Sequence, residues 1–402
     1  MRAPVRWLVG WAALLAVPAV GFADPKDDLV RRLTAAIDRH LAADWEGRKI
    51  TPAPAADDAE YVRRVYLDLV GRTPRVAETR AFLADKSADK RAKLVGRLLA
   101  TAAFAQHFAA DARADWLPQT LTDFRSQGQG NQFEDWLRRQ YAADVPLDEL
   151  ARKVLTTSVD VGQRGRVAFD QPNNQNRDEI AIASFYQAND VKPEELAATV
   201  SRVFLGVKLE CAQCHDHPFA PYTRDQFWQF AAFFGEFTPL SPVSPSFVGP
   251  LPPQFESNQL TIPNTTKTVT AVYFTGEAPE WAADRTPRQE LARWLTSPKN
   301  PYFARNLANR TWAHFFGIGI IEPVDEPGAE NPPSHPELLD ELAASLAEAG
   351  FDQRVLIRAI AASRAYNLTS KQTHESQSDP RRFARMPVRG LTADQIYDSF
   401  LA

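Results

Sequence analysis

The chain has 402 residues and a formal net charge of −4, and 44% of its residues are hydrophobic and 24% are charged. This balance is typical of a soluble globular protein with one large domain or two smaller ones. The small negative charge gives no electrostatic reason to expect binding of nucleic acid or of an anionic membrane.

The first 23 residues have the pattern of a secretory signal peptide. Two arginines lie within the first six residues, an apolar run over 7–20 follows, and Gly21 and Ala23 are small residues at the positions that signal peptidase reads. The run is short for a membrane span, although an uncleaved anchor is the alternative. We expect an exported protein, periplasmic or at the cell surface, whose mature chain begins near Asp24 and has no transmembrane span.

Apolar residues at helical spacing recur along most of the mature chain, so the predicted fold class is mainly α. Helices are predicted over 26–46, 59–70, 74–83, 90–100, 104–116, 132–141 and 147–156. On the second helix, Arg64 and Asp68 are four residues apart, which predicts an ion pair between them. His40 and His107 lie on these helices and are interpreted as surface or core histidines.

The strongest chemical signature is C-x-x-C-H, formed by Cys211, Cys214 and His215 between two apolar helices. This pattern is the attachment signature of c-type haem, in which the two thiols bind the haem vinyl groups and the histidine ligates the iron. His217 is too close along the chain to reach the opposite face of the ring. Met386 is the only methionine left after signal removal. Met386 and His314, both in the second module, are the first candidates for a distal ligand.

Two other sites fit the same residues. Cys211, Cys214 and His217 could bind zinc, with Asp216, water or a distant histidine as the fourth ligand. In an exported protein the two cysteines could instead form a disulfide, which would leave a binding or scaffold protein without cofactor chemistry. The residues alone leave haem, metal and disulfide open.

Three motifs together resemble the planctomycete cytochrome-like family, a secreted family of unknown function. They are YVRRVYLDLVGRTP at 61–74, FLGV at 204–207 and CAQCHDHPF at 211–219, and the resemblance covers residues 28–237. Residues 288–317 and 334–340 resemble the planctomycete-specific domain that commonly follows it. Because members of that second family usually continue further, the resemblance implies an incomplete second domain. The C-x-x-C-H motif implies a redox or electron-transfer role with an unidentified redox or surface partner.

The predicted organisation is therefore multi-helical with two modules. It comprises a signal peptide at 1–23, a helical domain at 24–237, a proline-rich linker with a small β-hairpin at 238–284, and a second helical domain at 285–402. The hairpin is predicted from alternating β-branched residues at 259–262 and 267–274.

One helix of the second module carries an unusual polar face. Asn306, Arg310 and His314 are spaced by four among many aromatic residues. Such groups form either a binding or catalytic face or a structural network, and the network is the favoured interpretation. Glu322 and Asp325, which follow the helix, are the expected partners.

Overall fold

The computed structural model describes residues 25–159, 177–218, 220–237 and 258–402, and the backbone of two short strands at 161–162 and 166–167. The predicted signal peptide, residues 238–257 of the predicted proline-rich linker and Phe219 lie outside the described residues. Within them the fold is mainly α, as predicted, with sixteen α-helices. None of the described helices combines the length and the apolarity that a membrane span requires.

The helices are numbered in chain order. The first eight are α1 Pro25–Gly47, α2 Asp58–Val70, α3 Val76–Ala84, α4 Lys90–Leu99, α5 Ala102–Trp116, α6 Gln119–Thr122, α7 Gln127–Ala142 and α8 Leu147–Thr156. The others are α9 Arg177–Ala188, α10 Pro193–Val200, α11 Arg224–Ala231, α12 Pro287–Leu295, α13 Phe303–Phe316, α14 Pro336–Glu348, α15 Gln353–Ala362 and α16 Ala393–Leu401.

Four short strands form two antiparallel hairpins. The strands are β1 Val161–Gly162, β2 Arg166–Val167, β3 Gln259–Thr261 and β4 Thr268–Thr270. The second hairpin confirms the prediction for this region, with Leu260 opposite Val269 at its centre. Both of these side chains are buried, which fits the alternating pattern of the two strands.

Helix α2 shows how local sequence sets the helix ends. The Asp57 side chain accepts a hydrogen bond from the Glu60 amide at the N-terminus. At the other end Gly71 adopts φ +71, a left-handed conformation in which a side chain is strained. A Cβ atom at this position would also lie 2.7 Å from His107 Nδ1, so glycine is required here for close packing as well.

The predicted Arg64 to Asp68 ion pair is wrong. Arg64 instead pairs with Glu60 at 2.6 Å and donates to the Tyr366 carbonyl. Asp68 is buried and accepts a 2.6 Å hydrogen bond from the Tyr366 hydroxyl and a short bond from Arg389. A pair four residues apart is more favourable with the acidic residue first, so Arg64 pairs with Glu60 on the same helix. Asp68 takes its partners from distant parts of the chain instead.

The helices on both sides of the second hairpin pack against each other. Helix α1 packs against α14 and α15, and α8 packs against α12. The buried hydrophobic residues from residue 29 to residue 386 form one cluster. The two predicted helical modules therefore share a continuous hydrophobic core.

This shared core predicts a single cooperative unfolding transition. Urea unfolding followed by far-ultraviolet circular dichroism and by tryptophan fluorescence should give the same midpoint, because Trp45 in α1 and Trp312 in α13 are both buried in that core. Two separated transitions would contradict the shared core.

Candidate functional site

The segment that leads to the C-x-x-C-H motif is held in place because its backbone passes close to α13. Helix α10 continues into a π-helical turn, Ser201–Leu205, which ends at Gly206 with φ +66. A Cβ atom at Gly206 would lie 2.5 Å from Asn306 Oδ1, so only glycine fits between the turn and α13. Two residues later, the Lys208 amide donates to the Asp325 carbonyl at 2.9 Å. The approach to the motif is thus held against the second half of the chain.

The motif itself begins in a short 3₁₀ turn, Glu210–Gln213. Cys211 and Cys214 are both exposed and their thiols are free. The Gln213 carbonyl accepts hydrogen bonds from the Trp228 indole N–H at 3.0 Å and from Arg224 Nε at 3.3 Å. Because Trp228 is buried, the inner side of the turn is fixed to α11 while both thiols stay accessible.

His215 has one ring nitrogen held by the backbone. Its Nδ1 lies 2.7 Å from the Asp216 carbonyl oxygen. A carbonyl oxygen only accepts, so this bond assigns the proton to Nδ1 and leaves a lone pair on Nε2. The Asp216 side chain in turn accepts from the Arg224 amide at 2.8 Å, at the start of α11. The exposed histidine is therefore oriented by a helix N-terminus.

His217 is attached to the loop that follows. Its amide donates to the Tyr222 carbonyl at 2.7 Å, and its ring meets the Tyr222 ring edge to face with 6.0 Å between centroids. The ligand atoms of Cys211, Cys214 and His217 do not all lie within 4.8 Å of one another in the described structure. The predicted zinc set would need this loop to move.

The predicted distal ligands occupy other environments. Met386 is 1% exposed in the shared core, and its amide donates to the Thr369 carbonyl. His314 has both ring nitrogens engaged, with Nε2 2.7 Å from the Asp68 carbonyl and Nδ1 3.2 Å from Asp111 Oδ2. Neither side chain lies free beside the exposed thiols.

The polar face of α13 forms a structural network, but with other partners than expected. Asn306 donates to the Val203 carbonyl at 2.7 Å. Arg310 donates to Asp115 at 2.6 Å and to the Arg202 carbonyl at 2.8 Å. These partners belong to α5 and to the π-helical turn.

The two expected acceptors after α13 make different contacts. Glu322 accepts from the Gly319 amide at 2.8 Å, and the carbonyl of Asp325 accepts from Lys208. Asn309 is the residue of α13 that binds the following loop, because its side chain bonds both the amide and the carbonyl of Ile321 at 3.0 Å. The expected link between the helix and the following loop exists, but Asn309, which precedes Arg310, makes it instead of the predicted residues.

A second group of chemically active side chains was missed from the sequence. His107 and Asp111, four residues apart on α5, meet His314 of α13, and one ligand atom from each lies within 4.8 Å of the others. Burial lowers the pKa of His107. Burial also opposes the charged forms of Asp111 and His314, but their mutual interaction outweighs it, lowering the pKa of Asp111 and raising that of His314. The spacing of His107 and Asp111 along α5 can be read from the sequence, whereas the packing of α13 against α5 cannot.

Family models match the chain in two consecutive segments. One described as PSCyt2, Protein of unknown function (DUF1549), matches residues 36–238, and one described as PSD1, Protein of unknown function (DUF1553), matches residues 287–402. No curated protein and no solved structure matches the chain. The first match covers half of the chain and includes the whole C-x-x-C-H motif.

Replacing Arg310 with alanine should lower the free energy of unfolding by about 2–4 kcal/mol. The change removes the hydrogen-bond donor of the Arg202 carbonyl and leaves partly buried Asp115 with only the longer 3.8 Å contact to Arg202. Arg305 on the same helix is the matched control, since its ion pair with Asp340 is exposed and its loss should cost less than about 1 kcal/mol. Equal midpoints for the two alanine variants in urea unfolding would refute the structural role of this network.

Replacing Trp228 with phenylalanine should loosen the turn that carries the cysteines. The substitution keeps an aromatic ring in the core but removes the 3.0 Å hydrogen bond to the Gln213 carbonyl, at a cost of about 1 kcal/mol. In reduced protein without cofactor, the thiols should then react several times faster with a thiol reagent. Trp281→Phe is the control, and because that indole is half-exposed it should leave the thiol reaction rate unchanged. If the thiols of the Trp228→Phe protein react no faster than those of the unsubstituted protein, the bond from Trp228 to the Gln213 carbonyl does not restrain the turn.

Proposed function

Because the chain belongs to the PSCyt2 family, whose function is unknown, we propose from its own residues that it is an exported protein carrying one covalently attached c-type haem. Cys211 and Cys214 provide the two thioether links, and His215 provides the axial ligand on the proximal side. The proposed role is redox chemistry or electron transfer with a partner protein.

The observation that carries this proposal is the fixed tautomer of His215. Histidines that bind a metal through one ring nitrogen almost always donate the other N–H to a carboxylate, a backbone carbonyl or water. The 2.7 Å contact between His215 Nδ1 and the Asp216 carbonyl provides such a bond and leaves Nε2 available for iron. An exposed histidine with no ligand to bind would gain little from this constraint.

The cysteines also fit the chemistry of attachment. Thioether formation requires thiols that are free and reachable, and both thiols are free and exposed. The bonds from Trp228 and Arg224 to the Gln213 carbonyl hold the turn between the two cysteines, so their spacing is set before the haem binds. When bound, the haem supplies an iron centre that exchanges single electrons.

The second axial position of the iron is proposed to be open or filled from outside the chain. Met386 is enclosed by the core, and His314 uses both ring nitrogens within the fold. An iron centre without a second protein ligand can bind a small molecule as well as transfer electrons.

Export is part of the proposal. The arginines and the apolar run of the first 23 residues support secretion, and thiols that reach an oxidising compartment without haem would tend to form a disulfide. The alternatives are therefore a binding or scaffold protein with a Cys211 to Cys214 disulfide, or a zinc site that includes His217.

The test is production of the full chain, exported, in a bacterial host with cytochrome c maturation machinery. We expect an intact mass increased by one haem and a Soret band that survives denaturation, because thioether links are covalent. A haem-free mass two protons below the reduced value would overturn the proposal in favour of a disulfide. Bound zinc without haem, in an amount that falls when Cys211 and Cys214 are replaced by serine, would overturn it in favour of a metal site at the cysteines.

Substitutions separate the roles of the three residues. Cys211→Ser with Cys214→Ser should abolish haem attachment, and His215→Ala should abolish or strongly reduce it. His217→Ala is the matched control two residues away, and it should keep the haem. Equal haem content in the His215→Ala and His217→Ala proteins would contradict the assignment of the proximal ligand.

A further inference from the structure

We propose that His107, Asp111 and His314 bind a divalent cation of the zinc type, at a second site independent of the cysteines. Two ligands come from α5 and one from α13. The cation would therefore join the two segments that the family models divide. The site uses two imidazole nitrogens and one carboxylate oxygen, a donor set that zinc binds in many proteins.

The first argument concerns the lone pairs of His314. The Asp68 carbonyl, 2.7 Å from His314 Nε2, can only accept, so Nε2 carries a proton. In the neutral ring, Nδ1 then presents a lone pair to Asp111 Oδ2 at 3.2 Å. Two facing lone pairs require either a second proton or a cation between them. The bond from Nε2 to a backbone carbonyl is also the usual outer partner of a metal-binding histidine.

The second argument is that His107 has an unsatisfied ring nitrogen. Its side chain is nine-tenths buried, and Nε2 has no hydrogen-bond partner in the described structure. The nearest carboxylate oxygen is Asp111 Oδ2 at 3.6 Å, which is too long for a hydrogen bond. A buried polar atom without a partner is costly, and a cation between His107, Asp111 and His314 would satisfy all three ligands at once.

The spacing of the ligand atoms fits a tetrahedral ion. Bonds of about 2.0–2.2 Å at tetrahedral angles separate neighbouring ligand atoms by about 3.3–3.6 Å. The two separations from Asp111 Oδ2, 3.2 Å to His314 and 3.6 Å to His107, are close to this range, and the two histidine nitrogens lie within 4.8 Å of each other. Two residues four apart on one helix face are a common way to present two such ligands.

The position is also open to solvent. His107 and Asp111 line a cleft of about 800 Å³, and the Asp111 side chain is 42% exposed, so an ion and a water ligand can enter. The charged groups that act on these three residues include Asp68 and Asp398 as well as Arg389. Asp68 is paired with Arg389. The cleft is lined by the carboxylates of Asp111, Glu134, Asp394 and Asp398 and by Arg72, Arg75 and Arg113, so its charge is close to balanced.

The close packing of the His107 ring against α2 gives a second reason for a glycine at the end of that helix. Gly71 approaches His107 Nδ1 so closely that a Cβ atom would lie 2.7 Å away. This packing fixes the ring from one side and turns Nε2 towards Asp111. Gly71 is therefore a positioning residue for the site, besides being the helix cap.

The experiment uses the full chain with Cys211→Ser and Cys214→Ser, so that no thiol or haem contributes to metal binding. After removal of metal with a chelator, zinc chloride is titrated calorimetrically, and cobalt chloride is titrated with visible spectroscopy. We expect one equivalent of either ion and the intense visible absorption of tetrahedral cobalt. Failure of the haem proposal would not affect this result, because the cysteines are absent.

Variants then locate the ion. Asp111→Asn preserves the shape of a half-buried side chain and should weaken binding at least tenfold, and His107→Gln should do the same. His40→Gln is the matched control, because His40 lies on α1 and bonds Glu341 instead. Circular dichroism of each variant establishes that it is folded.

Two results would overturn the proposal. One is the lack of a stoichiometric equivalent of zinc or cobalt in the cysteine-free protein, which would mean that a proton lies between His314 and Asp111. The other is equal zinc affinity in the Asp111→Asn, His107→Gln and His40→Gln proteins, which would place the ion elsewhere.

Discussion

Arg310 bonds Asp115 and the carbonyl of Arg202. These polar contacts join the second helical module to the first, beside a core that is otherwise largely apolar. The partners of Arg310 come from α5 and from the π-helical turn, so α13 cannot move without breaking charged hydrogen bonds in a largely buried place. Such bonds fix a relative orientation because leaving one partner alone is costly. The orientation of the α13 helix then determines what the rest of the polar face can reach.

Both candidate sites depend on that orientation. On one side, Asn306 fits against Gly206, and the chain leaves this contact directly towards the C-x-x-C-H turn. On the other side, one turn beyond Arg310, His314 comes close to Asp111. A single helix face thus supports the C-x-x-C-H motif at one end and the cluster of His107, Asp111 and His314 at the other. This dependence gives a physical reason for the two family segments to occur in one chain.

Local features of the fold were predictable from the sequence, and distant ones were not. The bounds of α2 and the short second hairpin follow from periodicity and from residues at their ends. The ion pair expected within α2 failed because Asp68 is bonded by Arg389, more than 300 positions away. The cluster of His107 with His314 could not be foreseen for the same reason, since spacing along one helix says nothing about which other helix packs on it. The C-x-x-C-H motif could be recognised from the sequence because its two thiols and its imidazole lie within five consecutive residues.

The most direct test of the account is a crystal structure of the exported protein with anomalous diffraction recorded at the iron edge. The account predicts one iron peak at bonding distance from His215 Nε2, with continuous density from Cys211 and Cys214 to a haem ring. An ordered motif with no iron peak, and with the two sulfur atoms bonded to each other, would contradict it.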